Sequence, residues 1–251
     1  MFETAAHGPI TVLTMRHGKA NALDIEFCDA LAARFADLRA SDTRAVVLTG
    51  QGRMFSAGVD LKRLSEGGAD YVRAFLPALH RLYDAVFFCP LPVVAAINGH
   101  AIAGGAILAA CADRRIMVAR GGRIGVTELL VGVPFPTLAF EVLRFAVPER
   151  YLSEFTLSGA TYDTDEAMER GWIDETSESD ELMEDAIAVA QEMAEVSPAA
   201  FAQTKEQLRA AARERLAASG AATDKTVTDL WCAPEALERI RAYVARVLEK
   251  R

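Results

Sequence analysis

The sequence is poor in cysteine, and no two of its cysteines have a metal-ligand spacing. Its 251 residues include four cysteines, which lie far apart and form no CxxC motif. Scattered thiols argue against a disulfide framework or a zinc site, and they favour small buried hydrophobes in a reducing compartment. The N-terminus lacks the basic and apolar regions of a secretion signal, so we expect a cytoplasmic protein. The cysteines are Cys28, Cys89, Cys111 and Cys232.

Positive charge is also scarce. Lys and Arg number 27 against 35 Asp and Glu, which gives a formal net charge of −8. This balance disfavours a surface that follows the phosphates of a nucleic acid, so we expect no nucleic-acid partner. An acidic protein can still bind an anionic cofactor through local basic side chains or backbone amides. The composition, 51% hydrophobic and 25% charged, is that of an ordinary globular protein.

Several catalytic motifs are missing. The sequence has no GxSxG elbow, no GxxxxGK[ST] phosphate loop, no HExxH pair and no GxGxxG after the first predicted strand. Its four histidines are dispersed, so the sequence supports no His–carboxylate or Cys–His nucleophile and predicts no metal site. His100 is the one histidine inside an otherwise apolar segment. It could be a hydrogen-bonded structural residue or a pocket-lining one.

That segment, Val93–Ala112, carries no charged side chain. Its length would suit a membrane span, but internal glycines, Asn98 and His100 make a span a poor interpretation, and we expect no membrane partner. A purely structural strand, turn and helix is a stronger alternative. The third interpretation is a strand-to-helix junction that aims free backbone N–H groups at an electron-rich ligand.

The chain alternates strand and helix patterns up to about residue 196 and is helical beyond it. Asp24 is a suitable N-cap for an amphipathic helix over Ile25–Arg39. The alternation predicts an α/β core at residues 1–196, followed by a helical region at residues 197–251 that packs on the core or on another subunit. Strands are expected at Ile10–Met15, Ala45–Thr49, Arg114–Ala119 and Arg123–Val126. Further helices are expected at 70–88 with a break or kink at Pro77, and at 137–145, 164–169, 180–196, 198–217, 224–231 and 234–248.

Two loops rich in small residues share one chemical property. Phe55–Asp60 follows a buried strand pattern, and Ala103–Gly105 follows another. Small side chains let a ligand approach the main chain, so that backbone N–H groups act as donors. Two donors that converge on one carbonyl oxygen form an oxyanion hole, and each contributes about 3 kcal/mol to transition-state stabilisation. The spacing alone does not show that the two loops converge.

Four motifs together carry a family resemblance. They are KANALD at Lys19–Asp24, RMFSAGVDL at Arg53–Leu61, AAINGHAIAGGA at Ala95–Ala106 and IGVTELLVGVP at Ile124–Pro134. In this order and with these gaps, they resemble the crotonase superfamily of acyl-CoA enzymes over most of residues 8–175. The segment LWCAPEALERIRAY is similar to the trimerisation region of that family.

The resemblance implies a spiral of ββα units that binds CoA thioesters, with coenzyme A entering as part of the substrate and no separate cofactor. The N–H groups of Ala57 and Gly104 match the oxyanion donors of the family. A homotrimer or a dimer of trimers is the implied assembly. The positions that match the CoA path are Lys19, Ala20, Ala22, Val59, Asp60 and Leu61.

The catalytic carboxylates of the family match only in part. Hydratases of the family use two glutamates; one matches Glu128, and the other falls on Ile107, which does not titrate. Hydration of a conjugated double bond requires both water activation and proton delivery, so the pattern favours Δ3,Δ2-enoyl-CoA isomerase, which needs one carboxylate. The Pro-aromatic segment at Pro134 also resembles isomerases, and it is expected to line the pocket with His100 and Ile107. The alternatives are a weak hydratase, a hydrolase or decarboxylase, and a CoA-ester-binding scaffold without catalysis.

Overall fold

The computed structural model describes residues 1–248, in which the strands form two sheets. The larger sheet has six strands in the order β1-β2-β3-β5-β7-β9, and the smaller has three in the order β4-β6-β8. Only β1 and β2 pair antiparallel; all other pairs are parallel. The strands are β1 (Phe2–His7), β2 (Ile10–Met15), β3 (Ala45–Thr49), β4 (Met54–Ser56), β5 (Val93–Ile97), β6 (His100–Ile102), β7 (Arg114–Val118), β8 (Ile124–Gly125) and β9 (Glu175–Ser177).

The helices fall between and after these strands. The first three, α1 to α3, follow β2, β4 and β6, and the others follow β8. A 3-10 helix occupies Glu128–Val131, and a π-helical turn occupies Leu216–Gly220. The α-helices are α1 (Ile25–Arg39), α2 (Leu61–Phe87), α3 (Gly104–Ala110), α4 (Thr137–Ala146), α5 (Glu149–Ser158), α6 (Thr164–Glu169), α7 (Leu182–Glu195), α8 (Pro198–Arg215), α9 (Ala221–Trp231) and α10 (Pro234–Leu248).

Each turn of the chain contributes one strand to each sheet. β3 and β4 precede α2, β5 and β6 precede α3, and β7 and β8 precede α4. Successive turns are in parallel register, with Val46 of β3 opposite Val93 of β5 and Met54 of β4 opposite His100 of β6. This arrangement is the predicted spiral of ββα units, and the α/β class is confirmed.

The larger sheet is buried on both faces, which explains the continuous apolar runs of β3 and β5. Val46 and Leu48 of β3 point to the main core, which contains α1, α2 and α3. Ala45 and Val47 point to the opposite face, which α7 covers with Leu182, Ala186 and Ala190.

Local signals place α1 as predicted but not α2. The Asp24 side chain accepts a hydrogen bond from Phe27 N at 2.8 Å and caps α1. In α2, Pro77 lies within a continuing helix, so the helix does not break at this residue. The non-helical residue is Gly68, whose φ of +61° is accessible to glycine without a steric penalty.

The helices after residue 196 pack against the core. α8 contacts α4, while α9 and α10 contact α2. α8 is also joined to the core by ion pairs, because Lys205 and Arg209 both bind Asp113, which follows α3. The last three residues of the predicted C-terminal region lie outside the described residues, and the boundary after Val196 stays a prediction.

Candidate active site

The three strands of the small sheet bring three loops to one edge. Ala57 follows β4, Ala103 follows β6, and Thr127 with Glu128 comes just after β8. Because these strands are parallel, their carboxyl ends lie on the same side, where ligands of open α/β sheets commonly bind. All four residues line one cavity of about 90 Å³. The two small-residue loops therefore converge.

A buried asparagine, Asn21, holds the first of these loops against the segment of residues 17–22 to which it belongs. Asn21 is fully buried with φ of +46°, and its Nδ2 donates to Phe55 O at 3.0 Å. The Ser56 hydroxyl donates to Asn21 O at 2.7 Å and accepts from Gly58 N at 3.2 Å. These bonds fix the main chain of residues 55–58 before any ligand binds.

Gly58 permits a close main-chain contact between the two loops. Its φ is +78°, and a Cβ at this position would lie 2.9 Å from Gly104 N and 2.6 Å from Ile102 O. No larger residue fits without displacing the start of α3. The glycine therefore brings the N–H groups that follow it close to that of Gly104.

The N–H of Ala57 is not the donor that the resemblance implied. It donates to Ala20 O at 2.9 Å, so it is already satisfied within the protein. Leu23 pairs with Val59 through bonds that use Gly58 O and Asp60 N, and this pairing leaves Val59 N–H without a hydrogen bond among residues 1–248. Val59 lines the cavity. The structure thus replaces Ala57 with Val59 as the candidate donor on this loop.

The N–H of Gly104, at the first turn of α3, is the second N–H group without a hydrogen bond among residues 1–248. Ala106 and Ile107 N donate to Ala103 O, so the N–H of Gly104 precedes the first bonded donors of the helix. Ala103 itself has φ of +51°, which is unusual for a residue with a Cβ. Such backbone strain often occurs at ligand sites, and here it turns the chain so that α3 begins beside the cavity.

Glu128 is the titratable carboxyl group that lines the cavity. The residue is 6% exposed, and its Oε2 has no hydrogen-bond partner among the described residues. Burial raises the pKa of Glu128 from 4.5 to about 7, because desolvation disfavours the charged form. A carboxylate with that pKa can both accept and release a proton near neutral pH. The prediction that Glu128 is buried in the pocket agrees with the structure.

Three predicted pocket-lining residues do not line this cavity. Ile107 is 2% exposed and packs in the main core. His100 is half-buried at the opposite end of β6, where its N–H donates to Arg53 O at 3.0 Å. Burial, aided by the neighbouring Arg53 and Arg123, lowers the pKa of His100. Pro134 contributes only indirectly, since its carbonyl accepts from Trp231.

The residues predicted for the CoA path lie on two segments that are hydrogen-bonded to each other. Val59 and Leu61 line the cavity, and the Asp60 side chain accepts from Arg63 N at 3.0 Å to cap α2. The others lie on the segment that is bonded to Ala57: Lys19 is exposed, and Ala20 and Ala22 are half-buried. Their role in binding CoA stays a prediction.

Sequence reasoning missed three aromatic residues of the site. Tyr83 is buried in α2, and its hydroxyl donates to Gly104 O at 2.9 Å, which holds the first turn of α3. Burial raises the pKa of Tyr83 well above its usual value, so it is a donor at neutral pH. Trp231 and Tyr243 line the cavity from α9 and α10. Only contacts over a long sequence separation reveal them, because each fits an ordinary amphipathic helix.

Comparison with known proteins gives the family. The family model described as Enoyl-CoA hydratase/isomerase matches residues 5–249. A protein of Thermus thermophilus, provisionally named an enoyl-CoA hydratase, is 36% identical over 196 residues, which cover 76% of this chain and 77% of the relative. The chain therefore belongs to the enoyl-CoA hydratase/isomerase family, within the crotonase superfamily, and acts on acyl-CoA.

Solved structures agree with this assignment. A Mycobacterium tuberculosis protein, also provisionally named an enoyl-CoA hydratase, superposes with a TM-score of 0.83 at 31% identity, covering 91% of this chain and 97% of its own. Human mitochondrial Δ3,Δ2-enoyl-CoA isomerase has a TM-score of 0.93 at 24% identity, with 100% and 99% covered. The second likeness concerns the fold alone. Hydratase and isomerase names both occur among the similar proteins.

Residues 1–248 contain neither a candidate membrane-spanning helix nor a candidate metal-binding cluster. No helix in that range is both long and apolar enough to cross a bilayer. No cluster of three or more His, Cys, Asp or Glu side chains there is arranged to hold a metal ion. The expected trimeric assembly and cytoplasmic location stay predictions.

Proposed function

We propose that this protein is a Δ3,Δ2-enoyl-CoA isomerase in which Glu128 is the single catalytic acid–base residue. The observation that carries the proposal is the unpaired Glu128 carboxyl, buried in the cavity that Val59 also lines. Among the described residues, no other Asp or Glu lines this cavity. One carboxyl group suits a reaction that moves one proton between two carbons of the same substrate.

The proposed reaction begins with ionised Glu128. The carboxylate removes a proton from C2 of a 3-enoyl thioester, and the C–H electron pair forms the C1–C2 double bond of a dienolate while the negative charge moves to the thioester oxygen. Protonated Glu128 then delivers the proton to C4. The C3–C4 π pair forms the new C–H bond, the C1–C2 double bond of the dienolate shifts to C2–C3, and the oxygen re-forms the thioester C=O, so the product is the conjugated 2-enoyl thioester. Atoms and charge balance without water or a cofactor.

The N–H groups of Val59 and Gly104 are the proposed donors to the dienolate oxygen. Both are fixed before the reaction, Val59 by the Leu23 pairing and Gly104 by the start of α3. Preorganised donors stabilise the charge that develops, each by about 3 kcal/mol, because the protein does not reorganise during the reaction. Tyr83 acts as a positioning residue, since its hydroxyl binds the carbonyl of Gly104.

Hydratase activity is the second candidate function. It is favoured by the 36% identical relative, which is provisionally named an enoyl-CoA hydratase. The resemblance argues against efficient hydration, because Ile107 matches the position of the second glutamate and no Asp or Glu besides Glu128 lines the cavity among the described residues. A single carboxyl would have to activate water and also supply the proton to the α-carbon.

A spectroscopic assay tests the proposal. The protein is offered a 3-enoyl-CoA and, separately, crotonyl-CoA, and conjugated thioester absorbance is followed in each case. We expect isomerisation by the wild type and a loss of about a thousandfold in kcat in Glu128→Gln, since positioned acid–base catalysis contributes about 10²- to 10⁴-fold. Glu184→Gln on the exposed face of α7 is the matched control and should retain full activity.

Three results would contradict the proposal. Undiminished isomerisation by Glu128→Gln would exclude Glu128 as the base. Faster hydration of crotonyl-CoA than isomerisation of the 3-enoyl-CoA would favour the hydratase. Tight binding of both thioesters without any turnover would favour a CoA-ester-binding scaffold.

A further inference from the structure

The cavity beside Glu128 is small for an acyl-CoA site. Its volume is about 90 Å³, whereas pockets for drug-sized ligands usually measure about 300 Å³ or more. An apolar cavity of about 150 Å³ takes up benzene, which has six carbon atoms. At the same volume per carbon atom, a cavity of about 90 Å³ has room for an acyl chain of about four carbons.

Trp231 lines this cavity from α9. The residue is the last of α9 and is 1% exposed. Its indole Nε1 donates to Pro134 O at 2.8 Å, so the ring extends from α9 to the segment that follows the 3-10 helix. Buried on both sides and held by this bond, the indole has a defined position and does not move aside without losing a hydrogen bond.

A second and larger cavity adjoins the same two walls. It measures about 360 Å³; Leu76, Pro77, Pro136 and Val227 form its apolar side, and the polar residues His80, Arg81, Asp224 and Thr228 line the rest. On α9, Val227 is one helical turn before Trp231 and therefore on the same face. On the other wall, Pro136 lines the second cavity, while Val133 lines the first. The same two segments thus contribute residues to both cavities, and the hydrogen bond from Trp231 to Pro134 O joins these segments.

We propose that Trp231 determines acyl-chain length by separating the catalytic cavity from this second cavity. With the indole in place, acyl groups of about four carbons fit, and longer chains meet the ring. A smaller residue at position 231 joins the cavities and lets an extended chain continue along Val227 and Leu76. The inference rests on the proposed function only in placing the acyl group beside Glu128.

Binding of saturated acyl-CoAs tests this inference independently of catalysis. Dissociation constants for butyryl-, hexanoyl-, octanoyl- and decanoyl-CoA are measured by calorimetry on the wild type, Trp231→Ala and Trp231→Leu. In the wild type, affinity should not rise beyond butyryl-CoA. In Trp231→Ala, each further methylene that enters the apolar cavity should tighten binding by about fourfold. Trp231→Leu keeps an apolar side chain at this position and should be intermediate.

Leu230→Ala is the matched control, because Leu230 is on the same helix but is 50% exposed. It should keep the chain-length profile of the wild type. Identical profiles in all variants, or a wild type that already binds decanoyl-CoA more tightly than butyryl-CoA, would overturn the inference. A protein that shows the expected profile but isomerises no 3-enoyl-CoA would refute the proposed reaction and leave the role of Trp231 in place.

Discussion

Two carboxyl groups lie deep in this protein in opposite surroundings. Asp113 is 12% exposed and accepts hydrogen bonds from Lys205 Nζ at 2.6 Å, Arg209 Nη2 at 2.7 Å and Val93 N at 2.8 Å. Glu128 is more deeply buried, and one of its oxygens has no partner among the described residues. Removal from water alone therefore does not decide what a buried acid does.

The difference lies in the groups that replace water. At Asp113 two cations compensate the charge, and the guanidinium of Arg209 also stacks on Phe87, with 4.2 Å to the ring centroid. At Glu128 no cation among residues 1–248 pairs with the carboxyl group, and hydrogen bonding from the backbone of Thr127 and Glu128 offsets only part of the desolvation, so the carboxyl group takes up a proton more easily. The first arrangement fixes α8 to the core. The second leaves a group free to react with a bound substrate.

Asp113→Asn should cause the largest loss of stability, because it leaves two buried cations without their anion. Removing one partner of a buried ion pair costs about 3–5 kcal/mol. Urea unfolding measures this loss, with exposed Asp180→Asn as the control. The kcat per folded molecule should stay unchanged. A loss below about 1 kcal/mol would show that the cluster contributes little to holding α8.

In contrast to Asp113→Asn, Glu128→Gln should raise the free energy of unfolding above that of the wild type at high pH. The folded-state pKa of Glu128, about 7, lies above the unfolded value near 4.5, so the unfolded chain loses its proton first as pH rises. The free energy of unfolding of the wild type therefore falls between about pH 4.5 and pH 7, by about 3 kcal/mol in total, and stays lower above that range. Denaturant unfolding of both proteins at pH 5 and pH 8 measures the difference. A pH-independent difference would contradict the raised pKa.

The smallest expected effect is on the pH–rate profile. If Glu128 is the base, kcat/KM should fall about tenfold per pH unit below pH 7, since the carboxylate must be ionised to accept the proton. Above pH 7 the profile should be flat. Rates of 3-enoyl-CoA isomerisation from pH 5 to pH 9 test this. A midpoint near pH 4.5 would show that Glu128 is solvated as in an ordinary surface site.

The sequence predicts the fold best where local signals act together. For α1, the Asp24 cap and the helical spacing of apolar residues give both ends correctly. It fails for β1, whose residues are mostly exposed, and for the three-residue strands β4 and β6, which carry too few residues for a period to appear. α5 was missed because few of its residues are buried.

The site was predictable in part. Motif order singled out Glu128, which lines the cavity, and Gly104, whose role as a donor stays a proposal, but it assigned the other donor to Ala57. Which N–H of this loop is free depends on the carbonyls of Ala20 and Leu23, which accept from Ala57 and Asp60, and that pairing is set by tertiary structure. The same limit applies to Trp231, because its acceptor lies 97 residues away in the chain.

The contact of Gly58 with Gly104 has a consequence for how the proposed donors are encoded in the gene. Every amino acid except proline carries a backbone N–H, so every substitution other than one by proline leaves either donor group in place. Selection therefore acts on the position of these donors through side-chain size, as at Gly58, where any added carbon would reach the neighbouring loop. A saturation mutagenesis survey should therefore find Val59 tolerant and Gly58 intolerant, with Gly104 also restricted because a Cβ there would lie 2.9 Å from the Tyr83 hydroxyl. Such a survey would therefore detect the backbone N–H donors through the glycine whose small size leaves room for them.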